Sequence, residues 1–150
     1  INRVLALAPT SINCLVNRGT ILSGLQRWHE AQADYEQALA LTPGTDTLHR
    51  EGILNQLGNL FQRTDQHVQA EEAYAQALSL MPDDPQVWFN RVRNEWLWAQ
   101  AEADAGRMAE AREHVARGLA YTEQGYRFAD PDPINRSIVA RLRELQRRLG

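Results

Sequence analysis

A chain of 150 residues, 43% hydrophobic and 23% charged, has the make-up of an ordinary globular protein, and this excludes a disordered or fibrous one. All 16 basic side chains are arginine, which excludes chemistry that needs lysine, and the net charge of -3 disfavours a nucleic-acid partner. Cys14 is the single cysteine, so no disulfide or cysteine-based metal cluster forms within the chain, and no apolar stretch nears the roughly 20 residues of a membrane span.

The opening INRVLALAP lacks the basic start and long apolar run of a signal peptide. Its VLALAP at 4–9 returns as ALALTP at 38–43 and ALSLMP at 77–82, with prolines 34 and 39 residues apart. Residues 1–9 are therefore expected to be the tail of a truncated repeat, and a longer array its natural setting.

Residues 12–45 form the first complete repeat, with LVNRGTIL at 15–22 and then EAQADYEQAL from Glu30. Cys14 lies on its first helix and reads as a small buried hydrophobe. Residues 46–84 form the second, with LNQLGNLF at 54–61 and QAEEAYAQAL from Gln69. Gly19 and Gly58 fall in register, which predicts that a neighbouring helix approaches each too closely for a side chain. The spacing from Ala31 to Ala70 is 39 residues, and the excess is assigned to the loop around TPGTDTLHRE, where Asp46 or Thr47 caps the next helix.

Residues 85–122 form a degenerate third repeat. Asp84 and Pro85 start a helix running to about Ala105, with Phe89, Val92, Trp96, Ala99 and Ala103 as its apolar stripe and an Arg91–Glu95 pair on another face. The copy EAREHVARGL from Glu110 has Val115 at the aromatic position and Gly118 at the small one. Residues 132–149 carry Ile134, Ile138, Leu142, Leu145 and Leu149 at helical spacing, as expected of a capping helix with its arginines in solvent.

These residues resemble the tetratricopeptide repeat family, whose pattern of leucine, glycine, aromatic, alanine and proline positions recurs about every 34 residues. The second repeat matches at Leu54, Leu57, Gly58, Phe61, Ala70, Tyr74, Ala77 and Pro82. The first matches at Leu15, Gly19, Leu22, Ala31, Tyr35, Ala38 and Pro43, with Arg18 where leucine is usual. The resemblance implies an all-α fold, a superhelix of αα-hairpins forming one domain over 1–150 with a C-terminal capping helix.

No constellation for catalysis emerges. His29, His49, His67 and His114 share no helix face at ligand spacing, and Ala33 stands where HEAQAD would need a second histidine. Glu71, Glu72, Asp83 and Asp84 read as solvated or capping charges, and neither a nucleophile elbow nor a phosphate loop occurs. The expectation is a non-enzyme with no cofactor and no metal. Trp98 is the tryptophan best placed for an exposed interface anchor.

Stacked hairpins put their first helices on a concave surface. The residues projected there are Asn17, Thr20, Asn55, Gln56, Asn59, Arg63, Asn90 and Arg93, with Asn17, Gln56 and Asn90 at one equivalent position. Carboxamides offer both donor and acceptor, which suits an extended peptide backbone, and the resemblance implies a scaffold that holds a protein or peptide. The alternatives are a self-association module, in which Leu15 and Leu22 are left partly uncovered, and a regulatory domain of a larger enzyme. Neither nucleic acid nor membrane is an expected partner, a homo-oligomer remains open, and the expected location is cytoplasmic.

Overall fold

The computed structural model describes residues 11–150, so the expected repeat tail at 1–9 lies outside the described residues. These form seven helices and no strand: α1 (Ile12–Gly24), α2 (Trp28–Leu41), α3 (Thr47–Arg63), α4 (His67–Leu80), α5 (Pro85–Asp104), α6 (Met108–Tyr126) and α7 (Pro133–Leu149). They fall into two compact units, divided between Pro82 and Asp83, each described by itself.

Local chemistry sets where the helices begin and turn. Asp46 accepts from the His49 N–H, Asp84 from Gln86 and Asp132 from Asn135, each satisfying a donor that the helix leaves open. Pro85 and Pro133 follow two of these caps at the first helical position, where a missing N–H costs nothing. Asp84→Ala is expected to cost about 1 kcal/mol, read as a lower urea midpoint at unchanged slope; an unaltered midpoint would deny the cap its role.

Each hairpin turns in three residues by one device. Gln26, Asp65 and Gly106 take positive φ, and the next N–H reaches back to the carbonyls of Leu22, Phe61 and Glu102 at 2.8–2.9 Å. This is the left-handed helix stop, and only the third copy uses the glycine that adopts it without strain.

In the first unit, Leu15, Leu22, Ala31, Tyr35, Ala38, Ile53, Leu57, Leu60 and Ala73 make one core. The Tyr35 ring lies against Gly19, where a built Cβ would sit 2.8 Å from Cε1. The Tyr74 ring is closer still to Gly58, with Cδ1 2.7 Å from such a Cβ. The paired glycines are thus contact points for the paired tyrosines. Arg50 of α3 donates to the Leu39 and Thr42 carbonyls at the end of α2, tying the two hairpins together.

Two expectations are corrected here. Leu15 and Leu22 are 1% and 5% exposed, because both pack against α2 and the following hairpin. The excess length before Gly58 becomes helix and not loop: α3 has 17 residues against 13 for α1, since the Asp46 cap starts it about one turn earlier.

In the second unit, Phe89, Val92, Ala99 and Val115 pack with Ile138, Val139, Leu142 and Leu145 of α7. Gly118 lets Leu142 approach α6, and Gly125 receives the Phe89 ring. Ile134, expected on this apolar stripe, is 67% exposed because it lies in the first turn of α7, ahead of the buried stretch.

One interhelical position differs instructively among the hairpins. In the first, Arg18 Nε and Nη2 donate to both carboxylate oxygens of Asp34 at 2.5 and 2.6 Å. In the second, 39 residues on, Leu57 and Ala73 join the apolar core. In the third, His114 stands at the place of Asp34 and Ala73, and its Nδ1 lies 2.8 Å from Oε2 of the fully buried Glu95. Counted back from the shared turn, as Leu57 stands eight residues before Asp65, the equivalent position in α5 is Trp98, which stacks on His114, and Leu97, not Asn90, corresponds to Gln56. The extra length of α5 lies at its beginning, so the projected Asn90 stands seven residues, about two turns, before that position.

Candidate binding surface

The surface of interest in the first unit lies on α1 and α3. Asn17 and Thr20 are exposed on α1, while α3 presents Asn55, Gln56 and Asn59, all half-buried, and exposed Arg63. Arg63 bridges the two helices, donating to Ser23 Oγ at 3.2 Å with its guanidinium 4.8 Å from the centre of the Trp28 ring. Its charge is thereby fixed beside an aromatic face, a geometry that favours a cation.

Thr20 and Asn59 occupy equivalent positions, one residue after the paired glycines, and do equivalent work. The Thr20 and Tyr35 hydroxyls share a hydrogen bond at 3.1 Å, and Tyr74 donates to Asn59 Oδ1 at 2.7 Å. Each tyrosine, wedged against its glycine, is latched at its tip by the next residue. Burial pushes the Tyr35 hydroxyl above its ordinary pKa, opposed by the Thr20 hydrogen bond and the nearby positive charge of Arg63. The Arg18 guanidinium is held charged by its hydrogen bonds to Asp34.

Sequence projection also placed Asn90 and Arg93 on the binding face. Asn90 is only 2% exposed, with its Oδ1 accepting from Gln86, so it lies inside the second unit. Phe89 is buried against Gly125 of α6, and Arg93 is half-buried. Trp98, expected as an exposed anchor, stacks on His114 with ring centres 4.0 Å apart and is half-buried. Among the described residues, no three His, Cys, Asp or Glu side chains gather as a metal site would require.

Comparison with known proteins places this geometry. The sequence profile of the family described as tetratricopeptide repeat matches residues 10–83. Residues 10–83 are tetratricopeptide repeats. The chain is 36% identical over 80 residues to Tetratricopeptide repeat protein 16 of Mus musculus, covering 52% of this chain and 10% of the mouse protein. A solved structure from the functional characterization of Pseudomonas aeruginosa pilF superposes with a TM-score of 0.60 and 18% identity, a likeness of fold. It covers 99% of this chain and 62% of the pilF chain, so this chain spans less than two thirds of either protein.

The tetratricopeptide repeats matched at 10–83 are the α1–α2 and α3–α4 hairpins. Their one departure from the family pattern, Arg18, is explained by its buried partner Asp34. The spacing of 16 residues, repeated in Leu57 and Ala73, would have exposed that pairing in the sequence. Ser23 was projected onto the same surface, but its bond to Arg63 follows only from the packing of α1 beside α3.

Proposed function

We propose that the tetratricopeptide repeats of this chain hold a protein partner and do not catalyse a reaction, taking an extended peptide segment along the faces of α1 and α3. The observation that carries this reading is the equivalence of Asn17 with Gln56: both carry carboxamides at a shared position on adjacent first helices, at exposed and half-buried sites. An extended peptide presents alternating N–H and C=O groups, and a carboxamide answers either. Asn55 extends the polar strip, and Arg63 adds a positioned charge for a carboxylate of the ligand. Thr20 and Asn59 line the strip while latching the tyrosines, so their part is chiefly to keep its shape. No helix among the described residues is long and apolar enough to cross a membrane.

The test separates contact from shape. Asn17→Ala with Gln56→Ala is expected to leave the melting temperature within about 2 °C, since neither side chain is core, while weakening capture of the natural partner from its own cells at least tenfold. Partner recovery unchanged by the double substitution would refute this face as the site.

A further inference from the structure

The polar strip on α1 and α3 makes no use of a second surface, the furrow between α6 and α7. Two hollows of about 330 and 210 Å³ lie along it and share Gln146 as a wall. Its floor is apolar, from Val115, Ala116, Leu119 and Leu149, and the Tyr126 ring closes one end. From Arg112 to Tyr126 it runs along about four turns of α6, or roughly 21 Å.

We propose that this furrow docks an amphipathic helix of a partner protein, whose apolar stripe is flanked by acidic side chains. Shape argues for a helix. In the second unit α7 packs on α5 and α6, and the facing sides of α6 and α7 wall the furrow. A furrow between two helices takes the ridge of a third, with residues three and four apart entering the hollows.

Charge argues for an acidic flank. Arg112, Arg143 and Arg147 line the two hollows, against Glu123 alone. Arg112 spends its Nε on the Leu149 carbonyl and Arg147 pairs with Glu144, whereas Arg143 has no ion pair or hydrogen bond among the described residues. The cationic edge is local, because residues 83–150 contain 11 arginines and 11 acidic residues. The apolar floor distinguishes the site from one for a phosphate backbone, which would leave Val115, Ala116 and Leu119 unused. Acidic residues facing these arginines would set orientation and speed encounter, while the apolar stripe supplies most of the affinity.

A fluorescent synthetic helix of about 16 residues, with leucines along one stripe and glutamates beside it, tests the proposal on the full 150-residue chain. Its twin carries lysine for every glutamate. The expected result is saturable anisotropy binding of the acidic helix, at least tenfold tighter than its twin, with amide shift changes on α6 and α7. Arg143→Glu is expected to weaken it about tenfold, and Ala116→Arg, which fills the exposed floor, to abolish it, with both variants melting as the parent does. The proposal is overturned by any of four results: no saturable binding, equal binding of the twin, shift changes confined to α1 and α3, or an oligouridylate taking the furrow in place of the peptide. Sedimentation revealing a dimer that Arg143→Glu disrupts and the acidic helix does not compete for would likewise overturn it, making a second copy the occupant.

Discussion

Replacing Gly58 by alanine will destabilise the protein by about 1–3 kcal/mol, although alanine is by far the better helix former. A Cβ at this position meets the buried Tyr74 ring, with Cδ1 at 2.7 Å and Cζ at 2.9 Å. That ring cannot step aside, because Ala70 and Ala77 of the same helix are fully buried and its hydroxyl is hydrogen-bonded to Asn59. Gly52 of the same helix is the internal control. Nothing lies within 4 Å of its missing Cβ, so Gly52→Ala is expected to stabilise by about 0.5–1 kcal/mol through helix propensity alone. Urea unfolding of both variants reads the two signs directly. If Gly58→Ala also gained stability, close approach would not be what keeps glycine there.

A second large effect is expected at Arg18 and Asp34. The Asp34 side chain is 5% exposed and that of Arg18 is 30% exposed, so the two ends of the bridge are unequal. Arg18→Leu strands a buried carboxylate and is expected to cost about 2–4 kcal/mol, below the upper range for buried pairs because the bridge opens partly to solvent. Asp34→Ala leaves an arginine free to swing into water and is expected to cost about 1 kcal/mol. The double substitution recreates the Leu57 and Ala73 pair of the next hairpin and is expected to return stability to within about 1 kcal/mol of the parent. A double-mutant cycle on denaturant midpoints measures this coupling. Single changes of equal cost, or a double variant as unstable as the sum of the two, would show that the bridge is not a substitute for the apolar pair.

These two positions also show how much was legible in advance. Helix starts at Asp84–Pro85 and Asp132–Pro133 were visible because capping is local, decided by residues two or three apart. The glycine–tyrosine contacts were legible because the repeat states them twice, at Gly19 with Tyr35 and at Gly58 with Tyr74. The polar strip on α1 and α3 was projected residue by residue from that register. The projection failed in α5, where the extra turns removed the repeat as a ruler: Asn90 was assigned to a surface and is interior.

What the sequence by itself determined is periodic: an all-helical chain, two hairpins of one family with matched small and aromatic contacts, and a polar strip at equivalent positions. Tertiary structure alone decided which polar residues are spent internally. Thr20 and Asn59 latch tyrosines, Arg63 is anchored on Trp28 and Ser23, and Glu95 is buried against His114. The reason is physical: periodicity fixes the direction of a side chain around its own helix, whereas the partner it finds depends on the distance and rotation of a second helix, which no local pattern encodes.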